Sequence, residues 1–106
     1  MISEDDIEKA VDFLRDNAVA AAQARATRIY LEEFRKSIKA QIMAEQTDEA
    51  LGAQERRAYS SDKYIEHLEA LKTAVFEDER FRFLREAAMA KIEAWRTKSA
   101  NQRIPL

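Results

Sequence analysis

The chain has 106 residues, a formal net charge of −2, 46% hydrophobic and 36% charged side chains, one Gly, one Pro and no Cys. That length holds one domain at most (1–106), the charge supplies no global basic field for nucleic acid, and the missing Cys excludes disulfides and thiolate chemistry. The prominence of Ala, Glu, Arg, Lys and Leu fits long helices or a coiled coil better than a sheet.

The opening residues predict a helix start. Ser3 takes the N-cap position, and Glu4, Asp5 and Asp6 place carboxylates over the orphan amides of the first turn. Ile2 and Ile7 stand at the spacing of a hydrophobic staple. The same acidic start lacks the basic residues of a secretory signal, and no apolar run reaches membrane-spanning length. A soluble, cytoplasmic chain is the expectation.

Along the first predicted helix, residues 4–46, Ile7, Val11, Leu14, Ala18 and Ala21 recur at the steps of a coiled-coil seam. Residues 18–26 are almost all small, which favours close approach of another helix. The stripe then resumes in a shifted register through Tyr30, Leu31, Phe34, Ile38 and Ile42, predicting a local unwinding or a change of partner.

Residues 47–60 read as the joint, with Gly52 marking the fold-back and residues 55–58 forming a short helical turn. The second helix, residues 61–101, starts at Ser60 or Ser61, with Tyr59 and Tyr64 at staple spacing. Its seam runs through Leu68, Leu71 and Val75. Glu77, Asp78, Glu79 and Arg80 interrupt it, and Phe81, Leu84, Ala88, Ile92 and Trp95 continue in an offset register. Pro105 closes the chain. Each arm opens acidic and ends basic, complementing the helix dipole. Two arms around one joint predict an all-α antiparallel helical hairpin.

Two helices bury only a stripe each, so the core is expected to be thin and self-association to compensate. Leu14, Ala18, Ala21, Leu68, Leu71, Val75, Leu84, Ala88 and Ile92 are the expected oligomer interface. Phe76, Phe81 and Phe83 cannot all face one side of a helix, so part of this aromatic surface calls for a second subunit or a partner.

Catalytic chemistry finds little support. His67 is the lone histidine and lacks the His-Glu-x-x-His or Glu-x-x-His spacing of a metal helix, so no metal or cofactor is expected. Most carboxylates have a base three or four residues away, such as Asp12 with Arg15, Glu32 with Arg35 and Lys36, and Glu93 with Arg96. One glycine leaves no room for a phosphate-binding loop or a dinucleotide fingerprint. The expected role is therefore non-enzymatic, acting through protein partners.

Two basic and aromatic patches offer a second reading. Arg25, Arg28, Arg35, Lys36 and Lys39 interleave with Tyr30 and Phe34, and Lys91, Arg96, Lys98 and Arg103 surround Trp95. Cations for phosphates beside rings for bases are what single-stranded nucleic acid requires. Against this, Tyr30, Phe34 and Trp95 also fall on the apolar stripe and read as core.

From Tyr59 to Arg103 the chain resembles a group of uncharacterised small helical proteins of bacteriophages and prophages. The likeness is carried by Tyr64, His67, Leu68, Leu71, Glu79, Ala87, Ala88, the run from Ile92 to Thr97, Ala100, Asn101 and Arg103. It covers less than half of the chain. It implies an accessory role, in the setting of phage DNA replication or recombination, and supplies no catalytic residues.

Overall fold

A computed structural model describes residues 1–103, and all of its regular structure is helical: α1 (Glu4–Asp16), α2 (Ala18–Met43), α3 (Leu51–Ser60) and α4 (Asp62–Arg103). The all-α expectation holds, but two long helices become four. Pro105 lies outside the described residues.

α1 begins where the sequence indicated. Asp6 N–H donates to Ser3 Oγ at 3.2 Å, and Ser3 N–H donates to Asp6 Oδ2 at 2.9 Å, closing a capping box. These bonds hold the Asp6 carboxyl below its ordinary value, the backbone bond from Ser3 first. The predicted first arm then breaks at Asn17. Its backbone N–H and its Nδ2 both donate to Phe13 O at 3.0 Å, while Ala21 N–H donates to Asn17 O at 2.9 Å. One residue thus ends α1 and starts α2, because an Asn side chain offers the backbone an alternative to continuing the helix.

α2 ends with neither glycine nor a basic residue in its last turn, so its last carbonyls need other donors. Arg57 of α3 supplies them: Nη1 donates to Ile42 O at 2.8 Å and Nη2 to Met43 O at 3.3 Å. The same guanidinium pairs with Glu49 at 2.8 Å and Glu45 at 3.5 Å. Gln54 adds a bond to Glu49 O at 2.8 Å. The segment between α2 and α3 is therefore held by side chains, not by glycine geometry.

Gly52 is not the fold-back residue. It is the second residue of α3, and no described residue has a positive φ. A Cβ added there would meet only Arg56 Nη1 at 3.9 Å, an ordinary contact. The joint thus contains a ten-residue helix where a four-residue helical turn was expected. Between α3 and α4 the break falls at Ser61, whose φ of −72° and ψ of 147° are extended. Its Oγ donates to Ala58 O at 2.9 Å and accepts from Tyr64 N–H at 3.2 Å, capping α4.

The chain forms two compact units. In residues 23–78, Ile38, Ile42, Ala58 and Tyr64 form a core, with Phe34 and Met43 against it. α2 and α4 run antiparallel here: Lys63 reaches Gln41 at 3.4 Å, His67 reaches Leu31 O at 2.7 Å, and Asp78 reaches Arg28 at 3.1 Å. In the other unit, residues 1–22 with 79–103, the buried residues are Ala10, Phe81 and Ala88.

The inward stripe of α4 corrects the predicted seam. In the first of these units it consists of Tyr64, His67, Leu71, Ala74 and Asp78, and in the second of Phe81, Arg85, Ala88, Ile92 and Trp95. These steps of three and four keep a heptad phase. Asp78 belongs to the stripe and does not interrupt it, whereas Leu68 and Leu84 are 38% and 39% exposed.

Two substitutions check this account by urea unfolding. Gly52→Ala should raise stability by about 0.5 kcal/mol, since alanine favours helix where no positive φ is needed. Arg57→Met should lower it by about 1–3 kcal/mol by removing the side-chain donor of the Met43 carbonyl, the second donor of the Ile42 carbonyl and the cation facing Glu49 and Glu45.

Candidate functional site

The lone histidine and the carboxylate beside the predicted interruption both serve the fold. His67 is buried and its Nε2 contacts Leu31 O at 2.7 Å, so this nitrogen carries the proton and donates. Its ring lies 6.0 Å from that of Phe34. Asp78, also buried, accepts from Arg28 at 3.1 Å, and Glu32 lies 3.4 Å from the Arg28 Nε. Glu32 thus pairs back to Arg28, and Lys36 pairs with Glu33 at 3.6 Å. Asp12 with Arg15 and Glu93 with Arg96 pair as expected, at 2.9 and 3.3 Å. Among the described residues, no three His, Cys, Asp or Glu side chains converge as a metal-ligand set.

The first basic patch is sorted by the helix it lies on. Arg28 turns inward to Asp78, and Arg25 stands exposed on α2. Arg35, Lys36 and Lys39 converge with Tyr59 and Tyr64 around a cleft of about 390 Å³. Lys39 Nζ sits 4.6 Å above the Tyr59 ring centroid, and Tyr59 meets Tyr64 edge to face at 5.3 Å. Hydrogen bonding with the Tyr59 side chain pushes the Lys39 ammonium above its ordinary value. Tyr64 is buried and Tyr59 is 49% exposed, so a fixed ring supports an open one. Tyr30 stacks on Phe34 at 5.6 Å but is 62% exposed, so it is not core.

The second patch does not assemble. Trp95 lines a cleft with Ile7, Val11, Glu4, Glu8 and Asp12, whose carboxylates would repel phosphate. Lys91 lies on a different cleft, beside Lys9, Ala10 and Phe13. Arg96 pairs with Glu93, and Lys98 lines a shallow groove with Ala90, Ala94 and Asn101. The Arg103 side chain lies outside the described residues.

Of the expected oligomer-interface residues, Leu14, Ala21, Leu71, Val75 and Ile92 are half-buried, and Ala88 is buried beside a cleft lined by Ala10 and Phe13. Ala18, Leu68 and Leu84 are exposed. Much larger apolar surface stands elsewhere: Leu51 and Phe76 in the unit of residues 23–78, Val19, Phe83 and Met89 in the other. No helix among the described residues is long and apolar enough to cross a membrane. Comparison of the chain with models of protein families, with curated proteins and with solved structures finds no match.

Sequence reasoning missed Tyr59 and Tyr64 as parts of a cleft. Only their mutual spacing was visible, and their meeting with Lys39 depends on where α3 docks.

The polar pair on the α4 stripe has a measurable signature. Asp78→Leu should cost about 1–2 kcal/mol by placing an apolar group against the half-buried Arg28, which keeps Glu32 at 3.4 Å, and the Arg28→Leu/Asp78→Leu double variant should recover most of it. His67→Leu should cost less, about 1 kcal/mol, because the Leu31 carbonyl keeps its helical partner. Denaturant unfolding of the three variants measures both.

Proposed function

We propose that this chain is a non-enzymatic helical interaction protein that acts by self-association and partner binding. The observation that carries the reading is the exposure of large apolar side chains beside a core with no large side chain fully buried among the described residues. Phe76 is 68% exposed and Phe83 60%. Burying one such ring is worth about 1.5–3 kcal/mol, a strong reason for a second surface to cover it. A hairpin of paired helices, joined to a second copy, is the arrangement that supplies this cover. The likeness of residues 59–103 to small phage and prophage proteins adds an accessory role in the cytoplasm of a host cell.

A second reading is supported by the convergence of Arg35, Lys36 and Lys39 beside Tyr59: binding of single-stranded nucleic acid, as in phage replication or recombination. Trp95 and the bases near it drop out of this reading, since carboxylates share its cleft.

Sedimentation over a range of concentrations tests the first reading. An oligomer is expected, and Phe76→Ser or Phe83→Ser should shift it toward monomer while helicity is kept. A monomer at every concentration would overturn self-association. Titration with labelled single strands at low and high salt tests the second, because phosphate contacts weaken as salt rises.

A further inference from the structure

The cleft of residues 23–78 has a chemistry more specific than a basic surface. Arg35 and Lys39 stand four residues apart on α2 and therefore share a face, with Lys36 beside them. Among the described residues no carboxylate lines the cleft, although Glu55 is near enough to Lys39 to act on its charge. Glu33, which pairs with Lys36 at 3.6 Å, is not among the lining residues, and with side chains 76% and 72% exposed such a solvated pair costs little to release. The opposite wall is aromatic. Tyr64 is fixed in the core and holds Tyr59 edge to face, while Tyr59 keeps half its surface open. A volume of about 390 Å³ lies within the size range of small-ligand sites.

Cations alone would accept any anion. A half-open ring fixed beside them selects an anion attached to a flat π-system. We propose that this cleft binds one nucleotide unit, its phosphate among Arg35, Lys36 and Lys39 and its base against Tyr59. The guanidinium presents two donors in a fixed fork, the two ammonium groups follow the phosphate as mobile charges, and the ring adds stacking. The proposal deepens the strand-binding reading and rests on it only for the source of the unit, which is either a free mononucleotide or one residue of a strand.

Amide chemical-shift mapping of the ¹⁵N-labelled full chain at low salt tests this, with AMP, adenosine, inorganic phosphate and a short single strand as probes. AMP should give saturable shifts confined to residues 35–39 and 59–64. Adenosine and inorganic phosphate should each bind at least about tenfold more weakly, the loss expected when a charge-assisted or stacking contact is removed. Arg35→Gln and Lys39→Gln should each lower AMP affinity about tenfold with helicity unchanged. Tyr59→Leu should weaken AMP and leave inorganic phosphate untouched.

Absent or scattered AMP shifts would overturn the site, as would shifts indifferent to Arg35→Gln. Strand binding that persists in the Arg35→Gln and Tyr59→Leu variants would overturn the site and leave the strand reading standing. AMP seated in the cleft, with the strand binding no tighter than AMP, would support the site and end the strand reading. Tighter binding of a phosphotyrosine peptide than of AMP would overturn the nucleotide assignment.

Discussion

The turn between α2 and α3 depends on one guanidinium. Arg57 donates to the Met43 carbonyl and adds a second bond to the Ile42 carbonyl, which also accepts from the Glu45 N–H at 3.2 Å, and Glu45 and Glu49 balance its charge. Because the donor comes from α3, ending one helix also docks the next. The neighbouring residue, Ala58, has no exposed surface and belongs to the core with Ile38 and Ile42. A larger side chain there would force the helices apart. Ser61 then breaks α3 and caps α4, which delivers Tyr64 into the same core.

Beyond that core, alignment of α2 with α4 rests on polar contacts. Leu71 and Ala74 are compatible with more than one register, but His67 has its carbonyl at Leu31 and Asp78 its cation at Arg28. A slip by one heptad would leave a carboxylate facing apolar side chains, a costly alternative. The polar members of the stripe therefore penalise wrong alignments more than they strengthen the right one.

Local signals in the sequence were read well because they act over a few residues. The Ser3 cap, the serine start of α4 and the high helical content all follow from short-range chemistry. Asn17 escaped notice because an asparagine breaks a helix only when its side chain competes for the backbone, and no pattern announces that choice. Gly52 misled for the opposite reason: glycine permits unusual backbone geometry without requiring it, and here it sits in an ordinary helix. Asp78 read as an interruption because its partner, Arg28, lies fifty residues away in the sequence. Spacing within one helix cannot reveal such a pair. The Tyr59 cleft is hidden by the same distance, since its cations and its rings meet only once α3 is in place.

The ten residues of α3 carry a further consequence. The helix has no side-chain N-cap, and its length is below that at which an isolated helix persists in water. Its backbone hydrogen bonds are therefore sustained by docking, through Arg57 and Ala58. Because Ala58 is also a member of the core with Ile38, Ile42 and Tyr64, the helix and that core depend on each other. Since Tyr59 rides on α3, the aromatic wall beside the cations of α2 exists only while that docking holds.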